Sequence, residues 1–566
     1  MTDPVLFVID GDPEDLGALE RLLRRRYGTD YQVIAERSPE AGLALLERLA
    51  NRDQEVALVA ADLRLPGMDG VEFLERARAL HRGAVRALLV ALDRRGTRIP
   101  FGKLESLQRA TALGRIDFWV AKGWDAPEEL VYPHIQEALS AWRRTNRPRH
   151  EVMRVVGGRW SPRCHELRDA LARNTVPFGF YATDSAEGQR LLRDFGVDTE
   201  RLPAVILYGG SVLHDPTMVE VADALGVHTR PSSEVYDLAI LGAGPAGLAA
   251  AVYGSSEGLR TLVIEPQAIG GQATTSSMIR NYLGFPRGVS GGELTFRAWE
   301  QALLFGARFV FMQRAIGLEA RGNERVILLS DGSEVIARAA VIASGVAYRR
   351  LGIPTLERLV GAGVYYGAAG TEAPAMAGEE VYVVGGANSA GQAALHLSRF
   401  AARVTLLVRG ESLAASMSDY LAKQLKAAPN VRVRLRTRVV DGYGENRLES
   451  LTLEDVETGR REEAAAAALF VLIGAEPRTE WLGDVIQRDR RGYILTGRDV
   501  PREAWPFMRP PLPFETSVPG VFAAGDARHG SVKRVASAVG EGSVTISSVH
   551  QYLGEQARIN AAGTVR

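Results

Sequence analysis

The sequence predicts a multidomain α/β protein built on parallel sheets. Short runs rich in β-branched residues alternate with longer helical patterns along the chain, as in strand–helix–strand units. Two glycine-containing turns in the second half have the spacing that binds dinucleotides. At 566 residues, the chain is also too long for one hydrophobic core and suggests three or four domains.

The composition argues against several functions. Lys+Arg and Asp+Glu both total 68, so the bulk charge favours neither nucleic acid nor an anionic membrane as a partner. No apolar run is long enough to span a bilayer, and MTDPVLFVIDGD lacks the basic and apolar regions of a signal peptide. The single cysteine, Cys164, excludes an intrachain disulfide and a cysteine-rich metal site. We therefore expect a cytoplasmic protein.

Two polar linkers that contain proline divide the chain. They are RRTNRPRHE at 143–151 and VHTRPSSEV at 227–235. We therefore expect an N-terminal segment at 1–147, a middle segment at 148–230 and a long C-terminal segment that begins at 234.

The N-terminal segment places charged residues at the ends of predicted strands. VLFVIDGDPEDL puts Asp10 and Asp12 after the first strand, EVALVAADLRLPGMDG puts Asp62 after the third, and DFWVAKGW puts Lys122 after the fifth. The carboxyl ends of parallel strands meet at one edge of a sheet, so these side chains can converge. Clustered carboxylates bind Mg²⁺, and a lysine neutralises an incoming phosphoryl group.

This segment resembles response-regulator receiver domains over nearly its whole length, and DLRLPGMDG is the most specific part. The resemblance implies a flavodoxin-like fold, a sensor histidine kinase as phosphodonor, Asp62 as phosphoacceptor, and Mg²⁺ at Asp10, Asp12 and Asp62. Gly11 and Val90 depart from the family, which usually has an aspartate and a Thr or Ser at these positions. The alternative is a receiver-like domain that serves only dimerisation or partner docking.

The middle segment resembles thioredoxin and glutaredoxin folds. Its patterns give strand, helix, strand, helix and two strands, with WSPRC (160–164) at the active turn and Leu202-Pro203 where the family has its cis-proline. Ser161 stands in place of the attacking cysteine, so only the resolving one, Cys164, is present. Three interpretations stay open. Cys164 is a buried small hydrophobe, or it is a redox-active thiol that attacks the disulfide of a partner. Alternatively, Ser-Pro-x-Cys resembles glutathione-transferase-like domains, in which the serine supports a bound thiolate.

The C-terminal segment opens with a dinucleotide-binding fingerprint. In YDLAILGAGPAGLAAAVYGSSEGLRTLVIEP, a strand precedes G-x-G-x-x-G, and a helix and a second strand follow. The first glycine makes the turn, the second admits a pyrophosphate, and the third lets the helix approach the strand, while the acid that ends the second strand accepts bonds from a ribose. The residues predicted to bind FAD here are Gly242, Gly244, Pro245, Ala246, Gly247 and Glu265.

A second copy of the fingerprint follows in VYVVGGANSAGQAALHLSRFAARVTLLVRGES. Ala387 replaces the second glycine, and its methyl group hinders close approach of a pyrophosphate. Val408 replaces the acid and is followed by Arg409, which favours a 2′-phosphate and hence NADPH over NADH; alternatively, Arg409 is only a solvated charge. The residues predicted to bind NADPH are Gly385, Asn388, Ser389, Ala390 and Arg409.

Two dinucleotide folds in tandem suggest a flavin enzyme that takes hydride from a nicotinamide. From about 234 onward the chain resembles low-molecular-weight thioredoxin reductases, in GGQATTSSMIRNYLGFP, VIASGVAYRRLGIP and TSVPGVFAAGDARHGSVKRVASAVGEGSV as well as in both fingerprints. The resemblance implies a homodimer, Rossmann-type domains for FAD (234–351 with 473–566) and for NAD(P)H (352–472), and further FAD contacts. These contacts are Gly271, Gln272, Asn281, Asp526, Arg534, Val535 and Ala536.

One departure from that family decides the chemistry. Counted back from VYVVGG, its two redox cysteines fall on Ala368 and Thr371, and no cysteine stands there. Flavin adducts and disulfide exchange both need a thiolate. We therefore expect an FAD-dependent NADPH oxidoreductase that serves an unidentified electron acceptor, under control of receiver phosphorylation. The alternative is a signalling flavoprotein that senses redox or nucleotide state and docks a partner without significant turnover.

Overall fold

The computed structural model describes residues 3–52, 54–91, 110, 115–146, 151–174, 176–276, 279, 281–285, 288–367 and 372–563. The chain forms two compact units. The first consists of Met1–His150 with Leu397–Val404 and Ser412–Val433. The second consists of Glu151–His396, Thr405–Glu411 and Arg434–Arg566. No helix in the described ranges is both long and apolar enough to cross a membrane.

The N-terminal part of the first unit is a five-stranded parallel sheet in the order β2-β1-β3-β6-β7. A doubly wound sheet of this order reverses direction between its first and third strands, where ligands bind in such folds. The strands are β1 (Val5–Ile9), β2 (Gln32–Glu36), β3 (Val56–Asp62), the short hairpin β4 (Arg64–Leu65) and β5 (Met68–Asp69), β6 (Val85–Val90) and β7 (Phe118–Ala121). The helices are α1 (Pro13–Tyr27), α2 (Pro39–Asn51), α3 (Gly70–Leu80), α4 (Pro127–Leu130) and α5 (Tyr132–Asn146).

The second unit begins with a four-stranded mixed sheet in the order β11-β10-β8-β9. Only the pair β8–β9, at one edge of the sheet, is parallel. The elements are β8 (Met153–Gly157), α6 (Pro162–Arg173), β9 (Phe178–Ala182), α7 (Ala186–Asp194), β10 (Ala204–Leu207), β11 (Val212–His214) and α8 (Met218–Ala224). Serine or threonine caps all three helices, and the Leu202–Pro203 peptide is cis.

A seven-stranded sheet follows in the order β14-β13-β12-β17-β16-β15, and β28 pairs with β17. Its strands are β12 (Tyr236–Leu241), β13 (Thr261–Glu265), β14 (Arg308–Phe311), β15 (Ala315–Arg321), β16 (Glu324–Leu329), β17 (Glu334–Ile342) and β28 (Val521–Ala523). Apolar side chains of β12, β13 and β17 pack against the associated helices to form one hydrophobic cluster. These helices are α9 (Pro245–Ser256), α10 (Gly291–Leu304) and α14 (Val535–Gly563).

A further α/β region is inserted between β18 (Val346–Tyr348) and β27 (Ala475–Pro477), which pair with each other. Within it, β19 and β20 both pair in parallel with β26, and β23, β24 and β25 form an antiparallel sheet. Its strands are β19 (Val364–Tyr366), β20 (Glu380–Val384), β21 (Arg403–Leu407), β22 (Val431–Arg434), β23 (Thr437–Tyr443), β24 (Ser450–Asp455), β25 (Arg461–Ala465) and β26 (Ala468–Val471). Its helices are α11 (Pro354–Glu357), α12 (Asn388–Leu397) and α13 (Asp419–Ala427).

Candidate functional site

A cavity of about 700 Å³ lies at the carboxyl ends of β12 and β13 in the second unit. Open parallel sheets bind ligands at this edge. Most of the residues predicted to contact FAD line the cavity, whereas Gly247, Asn281 and Ala536 do not. Those that line it are Gly242, Gly244, Pro245, Ala246, Glu265, Gly271, Gln272, Asp526, Arg534 and Val535.

The first glycine turn, Gly242 to Gly247, has the shape that a pyrophosphate needs. Gly242 has a φ of +110°, and a Cβ there would lie 2.5 Å from the Ala343 carbonyl oxygen. A Cβ at Gly247 would lie 1.8 Å from the Gly242 carbonyl oxygen, so α9 approaches β12 only because the side chain is absent. A Cβ at Gly244 would meet no protein atom within 4 Å, which leaves room for a ligand beside the backbone. This cradle fits the pyrophosphate of FAD.

Glu265 orders the wall next to this turn. Its Oε2 accepts from the Ala243 backbone N–H (2.7 Å), and its Oε1 accepts from those of Gln267 (2.8 Å) and Ala268 (3.0 Å). Burial raises the pKa of this carboxyl, although the three backbone bonds oppose the shift. A carboxylate has about four acceptor positions, so one is left for a ribose hydroxyl.

The start of α14 forms another part of the wall, where Arg534 and Val535 line the cavity. Unpaired backbone N–H groups give this end of a helix a partial positive charge, which stabilises a negative charge on a reduced flavin. Lys533 donates to the Asp526 carbonyl oxygen (2.5 Å). Burial raises the pKa of the Asp526 carboxyl, and the charge of Lys533 counteracts that shift.

Several lining residues were missed by the sequence analysis. They share no motif with the fingerprints, and one of them, Arg173, comes from the middle segment, which is distant in the chain. They include Arg173, Arg314, Tyr348, His396, Arg478, Trp481 and Lys533. Tyr348 and Lys533 lie in segments that carry the family resemblance, but nothing in those segments singled them out. For Arg478 and Trp481 the sequence signal was the basic and aromatic character of PRTEW, which does not by itself indicate a ligand.

The second glycine turn repeats the plan with different side chains. Gly385 has a φ of +146°, and a Cβ there would lie 2.4 Å from the Leu472 carbonyl oxygen. Ala387 is exposed, and Asn388 begins α12, whose next residue, Ser389, lines the cavity. The same helix also brings Gln392 and Ala393 to the cavity, so the inserted region shares a wall with the first glycine turn.

The end of β21 carries the residues that replace the ribose-binding acid. Val408 is buried, whereas Arg409 is exposed and, within the described ranges, forms no ion pair. A guanidinium in this state can bind a phosphate in two-point geometry.

The positions aligned with the missing redox cysteines, Ala368 to Thr371, lie outside the described residues. Just before them, a Cβ at Gly367 would lie 2.5 Å from the ring of Tyr348, which also lines the cavity. Cys164 is the only cysteine of the chain, so no cysteine pair exists in it.

Cys164 is fully enclosed within the middle segment. A Cβ at Gly157 would lie 2.3 Å from its sulfur and 3.3 Å from Pro203 Cβ, so the thiol fills the space between β8 and the cis-proline. Ser161 caps α6 and accepts from the Cys164 backbone N–H (3.4 Å). Burial raises the pKa of the thiol, although Ser161 and Arg168 act in the opposite direction. Reactive cysteines have the reverse properties, exposure and a low pKa.

In the first unit, Lys122 gathers three carboxylates at the end of the parallel sheet. Its Nζ lies 2.7 Å from Asp10 Oδ2 and 2.9 Å from Asp15 Oδ2, and it also contacts Asp62. Burial lowers the pKa of Lys122, but its bonds to the three aspartates outweigh this and raise the pKa above the ordinary value. Burial also raises the pKa of Asp10.

Asp12 is not a member of this group, contrary to the prediction. Its Oδ1 accepts from the backbone N–H groups of Glu14 (2.8 Å) and Asp15 (3.3 Å), so it caps α1. Asp15 takes the predicted place and also accepts from Trp124 Nε1 (2.8 Å). Among the described residues no three His, Cys, Asp or Glu side chains are arranged to hold a metal ion. The predicted Mg²⁺ site at Asp10, Asp12 and Asp62 is therefore not supported.

Two glycine turns, on a sheet and on a region inserted into it, define a protein of the two-dinucleotide class. The family model "Pyridine nucleotide-disulphide oxidoreductase" matches residues 236–542, and the chain belongs to this family. It is 34% identical over 318 residues to the thioredoxin reductase of Treponema pallidum, covering 56% of this chain and 97% of that one. The thioredoxin reductase of Bacillus subtilis is also 34% identical, over 57% of this chain and 96% of its own.

A solved structure shows the same fold in this part of the chain. The thioredoxin reductase of Lactococcus lactis, solved in its FR conformation, has a TM-score of 0.52 and 28% identity. The likeness covers 56% of this chain and 99% of that one. The N-terminal and middle segments lie outside the residues that the family model matches.

Proposed function

We propose that the protein is an FAD-dependent oxidoreductase that takes hydride from NADPH and delivers electrons to an acceptor outside its own chain. FAD, when bound, supplies a group that accepts hydride and returns electrons. The observation that carries the proposal is the cavity, which combines an intact glycine cradle with Ser389 from the second glycine turn. A chain with one cysteine has no dithiol pair to receive these electrons.

Different residues of the chain bind different parts of FAD and NADPH. The backbone at Gly244 holds the FAD pyrophosphate, Glu265 holds the ribose, and the start of α14 favours the reduced flavin. The exposed guanidinium of Arg409 selects the 2′-phosphate of NADPH.

The acceptor is a quinone, oxygen or a ferredoxin-like protein rather than a disulfide attacked by this chain. The enclosed, high-pKa thiol of Cys164 supports this choice, because a disulfide is attacked by a thiolate. The enclosed position also means that Cys164→Ala should leave reduction of the flavin by NADPH unchanged.

The proposal is tested by mixing the purified protein with NADPH or NADH without oxygen and following flavin absorbance. We expect NADPH to bleach the flavin within about a second, as for ordinary enzyme turnover. Cys164→Ala serves as the matched variant and should give the same rate. A flavin that stays oxidised for minutes with both nucleotides would contradict the proposal.

A second candidate is a signalling flavoprotein that senses redox or nucleotide state and docks a partner. The enclosed Cys164 favours it, as do the departures at Ser161, Gly11 and Val90 from the families that these segments resemble. The enzyme is the stronger proposal because binding alone does not require two glycine turns beside one cavity.

We also propose that a sensor histidine kinase phosphorylates Asp62. Its contact with Lys122 at the end of β3 supports this role, because the ammonium can neutralise an incoming phosphoryl group. Asp62→Asn should abolish labelling by acetyl phosphate. Asp69→Asn is the matched control, because asparagine also caps helices, and should label like the unmodified protein. Labelling that persists in Asp62→Asn would show that Asp62 is not the phosphoacceptor.

A further inference from the structure

The middle segment reaches the flavin cavity through the end of α6. Arg173, the last residue of this helix, lines the cavity although it lies outside residues 236–542. The next residue, Asn174, donates from Nδ2 to the Gln267 carbonyl oxygen (2.9 Å) and to that of Ala170 (2.8 Å). Gln267 belongs to the wall that Glu265 orders, so the end of α6 is tied to that wall.

The surroundings of Arg173 leave its charge available to a ligand. Its side chain is 19% exposed, and its closest described carboxylate contact is Nη1 to Asp169 Oδ2 at 3.5 Å. Its Nε is buried and, among the described residues, has no hydrogen-bond partner. Such a donor is costly to leave unsatisfied, so a ligand acceptor in the cavity would stabilise this arrangement.

Positive charge exceeds negative charge at this end of the cavity. Arg478 also lines it and donates to Gln267 Oε1 (3.1 Å). Burial lowers the pKa of Arg478, and repulsion from Arg173 lowers it further. Arg314 adds a third positive charge, against the carboxylates of Glu265 and Glu480. Glu265 already accepts three backbone bonds. An anionic ligand would relieve the repulsion between the two guanidinium groups.

The other end of α6 is also fixed. His165 Nδ1 lies 2.8 Å from Glu372 Oε1, and Arg168 Nη2 lies 3.2 Å from Glu372 Oε2. A Cβ at Gly361 would lie 2.9 Å from Pro162 Cα, so the backbones meet closely there. Contacts at both ends hold the helix and thereby fix Arg173 at the cavity.

We propose that Arg173 is an FAD-binding residue supplied by the middle segment and that it contacts the AMP half of the cofactor. The glycine turn sets the place of the pyrophosphate and Glu265 that of the adenosine ribose, and Arg173 lies beside Glu265. A guanidinium can bind a phosphate or stack on an aromatic ring, and adenylate offers both. The thioredoxin-like segment is thus part of the flavin site. This inference rests on the proposed binding of FAD.

The test measures the affinity of flavin-free full-length protein for FAD and for ADP, which carries the AMP half and the second phosphate but no flavin. Arg173→Gln should raise the dissociation constant for both ligands about tenfold or more, as expected for loss of a bond to a charged group. Arg193→Gln, an exposed arginine on α7, is the matched control and should stay within about twofold of the unmodified protein. Equal affinities for Arg173→Gln and the unmodified protein would overturn the inference.

Arg173→Lys keeps the charge and most of the side-chain volume, so it guards against a variant that does not fold. We expect an intermediate affinity, because an ammonium preserves the charge but not the planar two-point geometry. If Arg173→Lys binds FAD and ADP no more tightly than Arg173→Gln does, the positive charge at this position does not contribute to binding. Failure of the unmodified protein to bind FAD would instead contradict the proposed function, so the two outcomes are distinguishable.

Discussion

The first and second glycine turns share one strand–turn–helix plan but differ at the positions that face a nucleotide. Gly244 leaves open space in the first turn, whereas the exposed Ala387 carries a methyl group at the same place in the second. Glu265 ends the second strand of the first copy, whereas Val408 and Arg409 stand there in the second. We therefore expect the backbone to set where a dinucleotide lies and a few side chains to decide which dinucleotide binds.

The largest expected effect comes from Gly247→Ala in the first turn. The new Cβ would lie 1.8 Å from the Gly242 carbonyl oxygen, so α9 must move away from β12. Overpacking of this kind typically costs about 1–3 kcal/mol, and this backbone contact places the cost at the upper end, about 3 kcal/mol. We expect a lower melting temperature of the flavin-free protein, by thermal unfolding, and almost no bound FAD after purification.

Gly244→Ala separates ligand approach from folding. A Cβ there meets no protein atom within 4 Å, and the residue has a φ of −70°, which alanine adopts readily. We expect the flavin-free protein to melt as before, while the dissociation constant for FAD rises at least about tenfold, because the methyl group occupies the place of the pyrophosphate. Unchanged FAD affinity would contradict the cradle assignment.

Local patterns predicted the parts of the site that depend on backbone conformation. The spacing of Gly242 and Gly247 indicated a turn that only glycine permits, and the backbone at both positions excludes a Cβ. Patterns failed where two similar residues compete, since Asp12 caps α1 and Asp15 bonds to Lys122. An aspartate can either cap a helix or form an ion pair, and the direction in which α1 leaves the sheet determines which aspartate takes which role.

Contacts between distant segments were beyond such patterns. Arg173 lies in a helix whose own segment predicts only a thioredoxin-like fold, and its place at the cavity follows from packing of α6 against the wall around Gln267. The sequence left the burial of Cys164 open, because that burial depends on Gly157 at the end of β8 and on Pro203 just before β10. Sequence spacing specifies which face of an element is apolar but not which neighbour covers it.

An intermediate effect is expected from Arg409→Glu, which gives the second turn the acid of the first. Arg409 is exposed, so the change should not affect folding. Loss of a charged bond to the 2′-phosphate and the new repulsion should weaken NADPH binding about tenfold or more, while NADH gains a ribose partner. The ratio of anaerobic flavin-reduction rates with NADPH and NADH measures the shift. An unchanged ratio would contradict the assignment of Arg409 as the residue that binds the 2′-phosphate.

The smallest expected effect comes from Ala387→Gly, which gives the second turn the open position of the first. Removal of the exposed methyl group lets a pyrophosphate approach the backbone, but the added flexibility of glycine offsets part of the gain. We expect the dissociation constant for NADPH to fall about threefold, close to 0.6 kcal/mol, with unchanged FAD content. Ala402→Gly, at another exposed alanine, is the control for flexibility alone. Weaker NADPH binding in Ala387→Gly would mean that the second turn holds its phosphate away from this position. The two turns would then share a backbone conformation but bind their pyrophosphates in different places.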